Sequence, residues 1–108
     1  MAISDADIKF AKELFADVGP LTTRKMMGGL CLYYDGVIFA IIHSDARIYL
    51  KATGTYAETL VDMGAEQGSY TRDTGKVTKM PYWTLPDAAL DDPTTAGDLA
   101  RTALSYLE

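Results

Sequence analysis

A chain of 108 residues and 11.8 kDa, 48% hydrophobic and 23% charged, has the composition of one globular domain over residues 1–108, not of a disordered, collagen-like or disulfide-rich chain. Ten Lys and Arg against fifteen Asp and Glu give a net charge of −5, which disfavours nonspecific coating of nucleic acid or of an anionic membrane. Cys31 has no second cysteine to pair with and, beside the single histidine, builds no structural zinc site. With neither a basic leader nor a run near ~20 apolar residues, the chain is expected in the cytoplasm, without a membrane anchor and without a cofactor.

Ser4, with Asp7 three positions on, forms a capping-box pattern, and Ile8, Ala11, Leu14, Phe15 and Val18 follow at helical spacing until Gly19-Pro20 stops it. From Leu30 the pattern changes to β: residues 30–34, the turn pair Asp35-Gly36, and residues 37–42 read as a tight hairpin. Gly28-Gly29 ahead of it allows the first strand to bend as it enters the sheet. After a turn at 43–46, the alternation in residues 47–51 predicts a third strand. Residues 55–63 carry Tyr56, Leu60 and Met63 at helical spacing before Gly64. A second hairpin is expected from residues 69–72 and 76–80, turning at 73–75 and continuing past Pro81 toward Leu85. Asp92 caps a last helix that opens on Pro93 and buries Ala96, Leu99, Ala100, Ala103, Leu104 and Leu107. The fold class is therefore α+β, a two-layer sandwich in the order α-β-β-β-α-β-β-α with a mainly antiparallel five-stranded sheet.

The charge is not spread evenly along this order. Residues 1–19 and 86–108 hold Lys9, Lys12 and Arg101 against nine acidic residues, whereas residues 20–85 hold seven basic residues against six acidic. A regular hairpin register puts Leu30, Leu32, Tyr34, Val37, Phe39, Ile41, Ile48 and Leu50 on the core face. Cys31, Tyr33, Ile38, Ala40, Ile42, Arg47, Tyr49 and Lys51 fall on the other, which is more apolar than a solvated face requires. Three helices cover one side of such a sheet, so the second side is expected to meet a partner chain, a second copy or the chain termini; the alternative is that the sheet curls and a helix crosses behind it.

Chemistry-bearing patterns are sparse. In the regular register Cys31 and His43 lie on opposite faces, which separates the obvious nucleophile and base. Asp91-Asp92 reads as a cap before a metal site, and Asp35 as a turn residue before a catalytic carboxylate. Arg24-Lys25 before Gly28-Gly29 lacks the spacing of a phosphate-binding loop. A second functional reading, a small nucleic-acid-binding module, would draw on Arg24, Lys25, Arg47, Lys51, Lys76 and Lys79 with Tyr33 and Tyr49.

Several blocks together carry a family resemblance: Arg24-Lys25-Met26-Met27-Gly28-Gly29-Leu30, Tyr34-Asp35-Gly36-Val37-Ile38-Phe39-Ala40, Ile48-Tyr49-Leu50-Lys51, Met80-Pro81-Tyr82 and Leu85-Pro86-Asp87. In content and spacing, over nearly the whole chain, they resemble the TfoX/Sxy N-terminal-domain family. Met27 stands where the family usually has Phe. The resemblance implies a two-layer α/β fold and an association with regulators of natural competence and transcription. It implies a non-enzymatic role through protein contact, with the transcription machinery or the cAMP receptor protein as partner. The regulators that gave the family its name carry a second, carboxy-terminal domain, so the chain is expected to be the amino-terminal module standing alone. The face of Tyr33, Ile38, Ile42, Arg47, Tyr49 and Lys51 is the expected contact surface or homodimer seam.

Overall fold

The computed structural model describes residues 4–26, 29–43, 47–71 and 74–107. Met27 and Gly28 of the glycine block, most of the turn expected at 43–46, and residues 72–73 of the second hairpin lie outside the described residues, as does the amino-terminal tripeptide. Among the described residues three α-helices, α1 (Asp5–Leu14), α2 (Gly54–Asp62) and α3 (Pro93–Leu107), accompany six strands, β1 (Leu21–Met26), β2 (Gly29–Tyr34), β3 (Val37–Ile42), β4 (Ile48–Lys51), β5 (Gln67–Thr71) and β6 (Val77–Thr84). The strands form one antiparallel sheet in the order β1-β2-β3-β4-β6-β5. The α+β class and the element order stand as expected, with a sixth strand placed ahead of the other five.

That strand is β1. Thr22 and Thr23 are β-branched and suit an extended chain, but Arg24-Lys25 beside two glycines gives the segment the polarity of a loop. Pairing supplies what its own residues do not: β1 runs along the full length of β2, from Leu21 opposite Tyr34 to Met26 opposite Gly29. As an edge strand it carries its charges where they discourage a second sheet from adding on.

The helix caps at Ser4 and Asp92 and the Asp35-Gly36 turn are realised as the sequence predicts. Ser4 Oγ accepts from the Asp7 amide at 3.1 Å while the Asp7 carboxylate accepts from the Ser4 amide at 3.3 Å, a closed capping box. At the other end of the chain Asp92 accepts from the amides of Thr94 and Thr95 and from the Thr95 hydroxyl at 2.8 Å. These bonds, the Thr95 hydroxyl first, hold its carboxyl below the usual aspartate value. Asp35 and Gly36 both have positive φ, 51° and 80°, the backbone of the two-residue turn that matches strand twist. Pro81 sits inside β6 at the place where the ladder to β5 shifts register, between Gln67 opposite Trp83 and Ser69 opposite Lys79. A strand proline is tolerated at such an irregularity because no ladder amide is required of it.

The core lies between the helices and one face of the sheet. Phe15, Phe39, Leu32, Ile42, Leu50 and Leu60 are its largest fully buried side chains, each contributing roughly 1.5–3 kcal/mol by leaving water. Phe15, just past α1, meets Phe39 of β3 edge to face with centroids 5.4 Å apart. Ala96, Ala100 and Ala103 give α3 a small-residue stripe that lets it lie close on the sheet. Tyr56 of α2 ties the helical layer together: its hydroxyl donates to the Leu99 carbonyl at 2.7 Å and its ring stacks on Tyr106. Among the described residues no helix is long and apolar enough to cross a membrane.

Candidate interaction face

One residue decides which side chains reach the open side of the sheet. Leu32 lies opposite Ala40 but Tyr33 lies opposite Ile38, so Phe39 is an extra residue in β3. A bulge of this kind reverses the alternation beyond it. Phe39 stays in the core, and Ala40 and Ile42 join it there; Ile42 is 1% exposed. This corrects the regular-register expectation that put Ala40 and Ile42 on the open face and Ile41 in the core. Ile41 takes the outward place, opposite Cys31 on β2 and Tyr49 on β4. The remaining expected core positions, Leu30, Leu32, Ile48 and Leu50, are buried as the alternation requires, with Tyr34 and Val37 packed against them.

The same bulge overturns the separation of Cys31 from His43. His43, two residues beyond Ile41, shares the face of Cys31, and its ring lies 5.8 Å from that of Tyr49. Cys31 is nevertheless only 6% exposed, so it packs as a small hydrophobe within the face. Among the described residues no three His, Cys, Asp or Glu side chains gather as metal ligands.

The open face is built from both hairpins. Register places Thr22 and Arg24 of β1, Cys31 and Tyr33 of β2, Ile38 and Ile41 of β3, Tyr49 and Lys51 of β4, and Met80, Tyr82 and Thr84 of β6 on it. Tyr33, Ile38, Ile41, Lys51 and Tyr82 are half-buried. Burial, with Cys31 and Tyr33 nearby, pushes the Tyr82 hydroxyl above the ordinary tyrosine value. Its partner across the ladder is Lys51. Tyr49 is not available for stacking on a ligand, being 6% exposed. Its ring occupies the space beside Gly68, where a Cβ would come within 3.0 Å of it and 3.1 Å of the Met80 methyl. Arg47 closes one margin, its guanidinium 5.9 Å from the Tyr49 ring centre and 3.5 Å from the Glu66 carboxylate.

Of the expected contact residues, Tyr33, Ile38, Arg47, Tyr49 and Lys51 therefore come together and Ile42 does not. Ile41, Tyr82, Met80 and Gly68 join them. The Met80-Pro81-Tyr82 block marked this last group in the sequence, but only the β4–β6 pairing shows which side it serves. The six cations of the nucleic-acid reading do not share one face. Arg24 and Lys51 belong to the open side, whereas Lys25 and Lys79 alternate to the opposite side of their strands.

The model of one protein family, the TfoX N-terminal domain, matches residues 13–106. No curated protein matches the chain.

Proposed function

The chain belongs to the TfoX N-terminal domain family, and we propose that it works as a non-catalytic regulatory module through protein contact made by the open face of its sheet. The family supports a regulatory type of domain and is not one of known enzymes. The observation that carries the reading is the division of the sheet. The helices and the residues of the core cluster lie on one side, while Tyr33, Ile38, Ile41 and Tyr82 remain half-buried on the other. Aromatic and branched side chains ringed by Arg24 and Lys51 have the make-up of an interface centre with a polar rim. The partner in this proposal is the transcription machinery or the cAMP receptor protein, as the family resemblance implies.

Fluorescence anisotropy of the labelled chain against the cAMP receptor protein, alone and with RNA polymerase, tests this. Saturable binding weakened about tenfold or more by Ile38→Glu or Tyr33→Ala is the expected result. Binding untouched by either variant would place the contact elsewhere. Titration with duplex DNA and single-stranded RNA in rising salt runs beside it, since a steep salt slope would favour the nucleic-acid reading. Sedimentation of the free chain at micromolar concentration reports a second copy as the occupant of the same face.

A further inference from the structure

At the end of the sheet where Arg47 and Thr84 sit, a groove of about 630 Å³ runs between α1, the end of α2 and the turn that follows β6, meeting the open face only at that margin. Six large hydrophobic side chains are well exposed among the described residues, and three of them, Phe10 at 46%, Met63 at 43% and Leu90 at 36%, line this one groove. Each comes from a different element, so their meeting is a product of the fold and not of one local run of sequence. Ile48 and Leu85, both buried, line the groove with them.

The rim is acidic. Asp7, Glu66 and Asp87 stand around the groove, and the cation there, Arg47, already faces Glu66 at 3.5 Å. The bias extends outward, because the segments that build two of the three walls, residues 1–19 and 86–108, hold nine acidic residues against three basic. Apolar anchors inside an anionic rim select for an occupant with the reverse charge, and repel acidic ones.

We propose that this groove docks a short segment of a partner protein whose apolar side chains enter between Phe10, Met63 and Leu90 and whose flanking lysines or arginines face Asp7, Glu66 and Asp87. It is a second contact surface that shares only the Arg47 and Thr84 margin with the open sheet face, and its apolar anchors stand or fall separately from it. An amphipathic segment laid into a groove is a recurring mode of recognition.

The test uses a labelled synthetic peptide with leucines at i, i+4 spacing and lysines between them, a second with glutamates for the lysines, and a third with serines for the leucines. Anisotropy is expected to rise saturably with the first peptide alone. Phe10→Ala with Leu90→Ala, and separately Asp87→Lys, are expected to weaken that binding about tenfold. Ile38→Glu, on the open sheet face, is expected to leave it unchanged. Circular dichroism confirms that each variant is folded, which is expected because the substituted side chains are exposed or half-buried. The proposal is overturned if the glutamate peptide binds equally, if the groove variants bind as the parent does, or if no peptide binds up to about 1 mM.

Discussion

Ile41 and Ile42 are adjacent, chemically identical and separated in role only by the bulge at Phe39, which gives one to the open face and the other to the core. Ile42→Ala should therefore cost about 2–5 kcal/mol in urea unfolding, as for a fully buried aliphatic side chain, and Ile41→Ala about 1 kcal/mol. Equal or inverted costs would mean that the hairpin pairs regularly. Nothing in the run Val37 to Ile42 announces this bulge, since every residue in it is apolar and either register looks equally satisfied. Asp35-Gly36 was legible for the opposite reason: only a few residue pairs accept two successive positive φ angles. The apparent distance between Cys31 and His43 rested on the regular register and fell with it, so the family and the burial of Cys31 now carry the non-enzymatic reading.

At the scale of elements, the Tyr56 phenol joins α2 to α3. Tyr56 donates to the Leu99 carbonyl and its burial, with the neighbouring Tyr106, raises its pKa from 10.0 to about 12. The folded state thus holds a proton that the unfolded chain releases earlier. Its stabilisation is complete below pH 10 and is lost as pH climbs through about 12. Urea midpoints measured across that window should fall more steeply for the parent than for Tyr56→Phe; parallel curves would contradict the buried hydroxyl bond. The helices were legible because their apolar spacing, and for α1 and α3 their side-chain caps, are local. Strand β1 was not, because its stability comes from pairing with β2, and its own Arg24-Lys25 and following glycines speak for a loop. The continuation of β6 through Pro81 was legible once an irregularity was allowed there, and the shifted ladder to β5 supplies it.

Taken as a whole molecule, the chain keeps its acidity and its basicity apart. The negative terminal segments supply walls of the groove containing Phe10, Met63 and Leu90, while the near-neutral middle supplies a sheet face edged by Arg24 and Lys51. The net charge of −5 is the sum of two unlike surfaces, and each selects a different kind of neighbour. The general membership of the open face was legible from strand alternation. Its final composition required the bulge in β3 and the placing of β6 beside β4, both long-range outcomes of packing. Amide hydrogen exchange of the chain, free and in complex with the cAMP receptor protein and RNA polymerase, tests the central claim most directly. Slowed exchange concentrated in β2, β3, β4 and β6, with α3 unchanged, is the predicted result; protection confined to the helices, with the sheet exchanging as in the free chain, would contradict it.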